Sequence, residues 1–354
     1  MRSLIFSLLL IQGFSFNLFA SKGLSHEINY SNIRVRLFKE LEHFPQIQGM
    51  PAKLIAHKIW SVDGSKLIFQ GKKLSSKNFI IKKENGRFDL IGVFDFNKYL
   101  AGVVSKEMPL HWPLEALKAQ AVIARSYALY RMNERKNKIF HLDTDQMDQV
   151  FAVTTSEKAI SAVRLTDQIV LKDQSEKVLK AFYHADCGGQ TIPASKVWSD
   201  ALDTGTAVDP WCAARRSNEW SFEILKPELQ QRLSESIQLP PEFESRLEVV
   251  EKYQGRVQTL KWAEQFFSVQ KLRQIFGFSN LRNSPLAVHE SETSWVFKGK
   301  GFGHGVGLCQ WGTLSQARLG RSYMQILEHY YPQAHLSNMT LKLSQNFLPD
   351  LVFN

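Results

Sequence analysis

Only three cysteines, Cys187, Cys212 and Cys309, occur in the 354 residues. At most one internal pair can form, and one thiol is left over. Long apolar runs are as scarce. Apart from the first twenty residues, no segment approaches the length that spans a bilayer. There is no low-complexity tract and no repeat of solenoid length, which excludes fibrous and array architectures. No G-x-S-x-G elbow and no H-E-x-x-H occur, so the common serine-hydrolase and zincin signatures are missing.

The hydrophobic fraction of 44% and the charged fraction of 22% are those of a globular chain, long enough for one large domain or two ordinary ones. The formal charge is +10. Two readings stand: attraction to an anionic partner, or a basic protein kept soluble by its charge. Met1-Arg2 precedes an apolar run from Leu4 to Ala20, followed by Ser21 and Lys22. That is the pattern of a secretory signal peptide, with cleavage expected after Ala20; an uncleaved anchor is the rival. No cysteine closes the run, which argues against a lipoprotein anchor. The chain is therefore expected to be exported, to the periplasm, the cell envelope or the medium, with no stable membrane insertion once the signal is removed. An envelope polymer then suits the charge better than nucleic acid, and no nucleic-acid partner is expected.

The order of elements reads as α+β. Residues 21–95 are strand-rich: Ile33-Arg34-Val35-Arg36-Leu37 alternates, and Asp63-Gly64 and Asn85-Gly86 are hairpin punctuation. A long central helix is predicted from about Pro113 to Asn133, with Leu114, Leu117, Ala121, Ala124 and Ala128 on one stripe. Lys118 and Arg125 lie within roughly 20° of each other at its edge. By periodicity alone they are solvated flanks. Residues 155–165 read as helix and Val178–His184 as a strand. Lys226 to Ser245 is more polar, an inserted excursion near 220–250. The expected boundaries are 1–20 for the signal, 21–95 for the strand-rich part, 96–345 for the core and 346–354 for a tail. Near the end, Ser322-x-x-Gln325 is a capping box opening Tyr323–Tyr330.

Two stretches carry possible chemistry. Gly299 to Leu308 reads GKGFGHGVGL, with glycine at every second position. No P-loop lysine follows, and no dinucleotide-binding unit surrounds it. As a strand it is bare on one face, either lining a ligand or packing closely, for example on the alanine stripe of the long helix. Val103 to Pro113 reads VVSKEMPLHWP. Glu107, beside Met108, Pro109, Leu110 and Trp112, is either an exposed residue at a helix entrance or a desolvated general acid with a raised pKa.

Three segments together resemble the SpoIID/LytB family of bacterial cell-wall proteins: YLAGVVSKEMPLHWPLEALKAQAVIARSYAL (Tyr99–Leu129), AFYHADCGGQT (Ala181–Thr191) and GKGFGHGVGLCQWGTLSQARLGRSYMQILEHYYP (Gly299–Pro332). DQVF at Asp148–Phe151 and GRVQTL at Gly255–Leu260 fit between them. The resemblance implies a SpoIID-like domain with a substrate cleft and a lytic transglycosylase acting on peptidoglycan glycan stripped of its stem peptides. The Glu of the E-M-P motif, Glu107 here, is the implied acid/base. Lys118, Arg125, His184, His304, Gln310 and Trp311 become candidates for substrate binding. The bond cleaved lies between N-acetylmuramic acid and N-acetylglucosamine, and the product is a 1,6-anhydro end. No cofactor is implied. The alternative is a non-catalytic glycan-binding module that activates a cell-wall amidase, which is then a partner.

The chain departs from the family twice. Some members bind zinc through cysteines just before the Q-V-Y motif; here Asp143 and Asp148 stand in that region with His141, so no metal is expected there. Residue 309, commonly Ser, is Cys. A Cys187–Cys212 disulfide is expected, with Cys309 a free buried thiol. A metal held by His184, Cys187 and Cys212 competes with that reading but needs a further ligand.

Overall fold

The computed structural model describes residues 31–339, apart from 46–52, 57, 64–65, 70–71, 145–147, 199–200, 202, 215–217 and 238–245. The expected signal peptide, the Gly64 turn and the expected 346–354 tail lie outside the described residues.

The chain opens with strands β1 (Asn32–Leu41), β2 (Lys53–Ala56), β3 (Ile59–Asp63), β4 (Lys66–Phe69), β5 (Lys72–Ser75), β6 (Asn78–Glu84) and β7 (Arg87–Asp95). Six strands form one sheet in the order β2-β3-β6-β7-β1-β8, in which β8 (Leu142–Asp143) runs parallel to β1; β4 and β5 pair separately. The alternation read at Ile33–Leu37 is real: Ile33 and Val35 are buried while Arg34 and Arg36 are half-buried. Asn85 and Gly86 both take positive φ, 47° and 80°, which closes the β6–β7 hairpin as expected.

Helix α1 (Phe96–Glu107) follows, capped by Asp95, whose carboxylate accepts from Lys98 N at 3.1 Å. It buries Phe96, Tyr99, Leu100, Val103 and Val104. Helix α2 (Leu114–Glu134) is the predicted long helix, with Pro113 at its N-cap. It is buried on most sides rather than along one stripe, because α1, α3 (Glu157–Arg164), α7 (Gln310–Arg318) and α8 (Tyr323–Tyr330) all pack against it. Its run of alanines permits that close surround. Strand β9 (Ile169–Lys172) pairs with β18 (His335–Asn338) near the end of the described residues. Only Tyr183–His184 (β10) of the longer strand expected there is regular; it pairs in parallel with β17 (Leu308–Cys309).

After the short α4 (Pro210–Ala213), residues 219–300 build a second apolar core. Strands β11 (Glu219–Leu225), β15 (Ala287–Glu290) and β16 (Ser294–Lys300) form one sheet; β12 (Glu248–Tyr253), β13 (Arg256–Trp262) and β14 (Gln265–Ser268) form another. Helices α5 (Lys226–Ile237) and α6 (Val269–Phe276) cover them. The polar segment read as an excursion thus contributes β11 and α5 to a core of its own, through Ile224, Leu229 and Leu233. The capping box at Ser322 and Gln325 is present in both directions. The architecture is α+β.

The glycine-rich stretch corrects the strand expectation. Gly299 ends inside β16, but Gly301, Gly303, Gly305 and Gly307 all have φ between 70° and 111°. They form a loop, not a bare-faced strand. A side chain on Gly301 would meet Asp186 O at 2.5 Å, and one on Gly307 would run into Phe182 O and the Tyr331 hydroxyl. The close neighbour is the 182–188 segment, not the alanines of α2.

Candidate functional site

Glu107 is the last residue of α1, not the start of the long helix. The helix end places the carboxyl at the negative end of a dipole, which disfavours a second negative charge. Its surroundings act in the same direction. Desolvation raises the Glu107 pKa, and Tyr183, the Val150 N–H and Gln310 partly oppose the rise by favouring the ionised form. The Val150 N–H donates to Glu107 Oε1 at 3.1 Å. The Tyr183 hydroxyl is buried beside Glu107 yet falls short of hydrogen-bond geometry, leaving it without a partner among the described residues.

Each residue of Asp148–Phe151 has a distinct anchor that fixes this wall. Asp148 pairs with Arg131 at 2.9 Å and accepts from the Tyr127 hydroxyl at 2.9 Å. Gln149 accepts from the Tyr99 hydroxyl at 3.0 Å. Val150 offers its N–H to Glu107, and Phe151 packs on Phe94 and Tyr99. Opposite, β10 brings Tyr183 and the start of α7 brings Gln310. Gln310 is buried and donates to Gln120 of α2 at 3.4 Å. Trp311 donates its backbone N–H to Ala185 O and packs on Trp112 with ring centroids 5.1 Å apart.

The other expected residues divide. Arg125 is only 1% exposed. Its guanidinium donates to the carbonyls of Thr166 (2.7 Å), Ile169 (3.0 Å) and Val163 (3.1 Å). Burial lowers its pKa to about 10. It closes the C-terminal end of α3 and has no face for a substrate, which corrects both the groove reading and the solvated-flank reading. Lys118 pairs with Glu115 at 2.6 Å and sits 4.7 Å above the Tyr323 ring. Glu115 in turn accepts from Tyr323 N at 2.7 Å, so this trio ties α2 to α8.

His184 and His304 are neighbours, with ring centroids 5.5 Å apart. Burial pushes His184 down to about 4 against the Val306 carbonyl, which holds Nδ1 at 3.0 Å. His304 Nδ1 accepts from Val306 N at 3.0 Å, so the ring is the Nε2–H tautomer. Desolvation, then His184 and Arg273, keep it well below the ordinary histidine range. Its ring packs against Trp198 and Phe182. Successive strand residues face opposite ways, so Phe182 and His184 stand on the side of β10 away from Tyr183. The histidine pair packs with Phe182 on that side, and the Tyr183 backbone also acts on His304.

The cysteines also differ from expectation. Cys187 and Cys212 are free thiols, as is Cys309. The odd cysteine is not apart from the others. All three sulfurs and one carboxylate oxygen of Asp209 lie within 4.8 Å of one another, fully buried. His184 takes no part. The segment where some family members carry zinc-binding cysteines is held by arginines: His141 and Asp143 contact Arg34 and Arg36, and Asp148 contacts Arg131 and Arg135.

Tyr183, Val150 and Asp209 were not singled out in the sequence. Tyr183 adjoins the histidine that drew notice, Val150 acts through its backbone, and Asp209 carries no motif of its own.

Comparison with known proteins agrees with the motifs. A family model described as SpoIID, Stage II sporulation protein, matches residues 84–172, which include Glu107. An uncharacterized protein of Brachyspira hyodysenteriae is 28% identical over 283 residues, covering 75% of this chain and 73% of that one. The Stage II sporulation protein D of Bacillus amyloliquefaciens is 27% identical over 267 residues, covering 70% and 76%. The amidase enhancer of Bacillus subtilis is 25% identical over 297 residues, covering 68% of this chain but 40% of its own length. The family model, the relatives and the motifs agree in their likeness to the SpoIID family.

Proposed function

We propose that this chain acts on the bacterial cell wall as a peptidoglycan lytic transglycosylase, with Glu107 as its single acid and base. The observation that carries the reading is the Glu107 carboxyl: partly buried, raised in pKa, and flanked by a backbone N–H, a tyrosine hydroxyl and a glutamine amide. Such a group holds a proton at a pH where an ordinary carboxyl has lost it.

In the proposed cycle the Glu107 carboxylic acid protonates the glycosidic oxygen between N-acetylmuramic acid and N-acetylglucosamine. The C1–O bond breaks toward an oxocarbenium-like state. The muramic 6-hydroxyl then bonds to C1, and its proton passes to the Glu107 carboxylate. The enzyme is restored, no water is consumed, and the new end is a 1,6-anhydro ring. No second carboxylate is required to hold a water, unlike two-carboxylate glycosidases. The Tyr183 hydroxyl and the Gln310 amide, both acting on Glu107, are suited to steady the carboxylate after proton transfer.

A second reading is favoured by the amidase enhancer relative: a glycan-binding protein that raises the activity of a separate amidase. Incubating pure protein with glycan, with and without stem peptides, separates the two. Anhydro ends on bare glycan support catalysis. Unchanged glycan, with stimulation of an added amidase, supports the enhancer reading.

A further inference from the structure

We propose that Cys187, Asp209, Cys212 and Cys309 form a structural zinc site that braces the walls around Glu107. Their four ligand atoms lie within 4.8 Å of one another. A tetrahedral zinc with Zn–S near 2.3 Å sets its ligand atoms about 3.5–3.8 Å apart, so modest side-chain turns close the shell. Three soft thiolates and one carboxylate suit zinc over magnesium or calcium. Asp209 caps α4 and Cys212 lies within it, while Cys187 lies three residues past β10 and Cys309 ends β17.

The surroundings are those of anionic sulfur rather than of small apolar residues. Backbone N–H groups point at the sulfurs: Cys187 N donates to Cys309 Sγ at 3.2 Å, Gly312 N to Cys309 Sγ at 3.4 Å, and Gly189 N to Cys187 Sγ at 3.4 Å. The buried Arg256 guanidinium donates to the Cys187 carbonyl. Asp186, Cys187 and Cys212 are the negative groups acting on Arg256, and a Cys₃Asp–zinc centre would add to that negative charge. Asp209 is oriented as a second shell orients a ligand: Oδ1 accepts from Cys212 N at 2.9 Å and Oδ2 from the Tyr330 hydroxyl at 2.6 Å. A side chain on Gly312 would run into both that carboxylate and that hydroxyl.

The thiol protons now go to carboxylates. Cys187 Sγ–H donates to Asp209 Oδ2 at 3.3 Å and Cys212 Sγ–H to Asp186 Oδ1 at 3.0 Å. Binding one Zn²⁺ releases the three thiol protons to solvent and forms three Zn–S bonds and one Zn–O bond, with no redox change. The brace has a consequence for the site. Cys187 follows Tyr183 by four residues, and Cys309 directly precedes Gln310. The ion would lock together the two segments that deliver those side chains to Glu107.

The test is metal and thiol analysis of the full chain, purified without added reductant from zinc-supplemented cells. The expected result is about one zinc ion per chain, with all three thiols unreactive until a strong chelator or denaturant is added. Cobalt exchange should give a thiolate-to-cobalt charge-transfer absorption. Asp209→Asn should lose the ion, and Tyr330→Phe should weaken its retention about 10- to 100-fold. Absence of bound metal overturns the proposal, whether two thiols are found oxidised together or all three titrate freely. Bound iron with sulfide would overturn it too. If Asp209→Asn fails to fold, the stoichiometry and cobalt spectrum of the unaltered chain still decide.

Discussion

The Val150 N–H points at Glu107 Oε1 from 3.1 Å, joining the DQVF segment to the carboxyl that ends α1. This bond favours the ionised form, whereas burial favours the protonated form, and burial prevails. A carboxyl held between those influences keeps its proton to a higher pH than an ordinary carboxyl and can both release and recover it.

Glu107→Gln keeps the shape and removes proton exchange. Glycan cleavage should fall by roughly 10²- to 10⁴-fold, the usual contribution of a general acid. The fold should not suffer. Because the folded pKa is raised, the wild-type carboxyl costs stability as pH climbs from the ordinary carboxyl range through the raised value. The glutamine variant should therefore match or exceed the wild-type melting temperature at neutral pH. Near-normal cleavage would remove Glu107 from the mechanism.

The pH profile provides a second check. The acid form is the one that protonates the leaving oxygen, so kcat/KM should decline as pH rises through the Glu107 pKa. Tyr183 acts to lower that pKa. Tyr183→Phe should therefore move the declining limb to higher pH while reducing the rate. A limb that stays in place, or moves to lower pH, would contradict the assigned role of Tyr183.

Arg125 should behave as a structural residue. Arg125→Met leaves the carbonyls of Val163, Thr166 and Ile169 without their donor. Losing charge-assisted bonds to buried acceptors should cost about 2–4 kcal/mol in urea unfolding. Glycan affinity per folded molecule should not change. Weakened binding by a fully folded variant would return Arg125 to the groove.

Gly307 has φ of 70° and abuts Phe182 O. Gly307→Ala should lower stability by at least about 1–3 kcal/mol, read as a drop in melting temperature, because both the backbone conformation and the space exclude Cβ. An unchanged melting temperature would show that the loop adapts freely.

Much of this was legible in the sequence where local rules act alone. The capping box at Ser322, the Asn85-Gly86 hairpin and the long α2 follow from short-range chemistry. Helix α1 was legible too: Phe96, Tyr99, Leu100, Val103 and Val104 recur at helical spacing behind the Asp95 cap. The glycine stretch misled because alternate positions suit a strand as well as a loop of left-handed residues, and only the backbone distinguishes them. Arg125 and the cysteine cluster were beyond sequence reasoning. Arg125 is explained by carbonyls 38–44 residues away, and Cys309 meets Cys187 across 122 residues. Such distant contacts leave no local pattern.

The most direct measurement of the central claim is mass spectrometry of bare glycan strands digested by pure protein in ¹⁸O-labelled water, with Glu107→Gln alongside. If the muramic 6-hydroxyl is the nucleophile and Glu107 moves the protons, the wild type should yield 1,6-anhydro ends carrying no label, and the variant almost none. Reducing ends labelled with ¹⁸O, or anhydro ends formed equally well by the variant, would contradict the account.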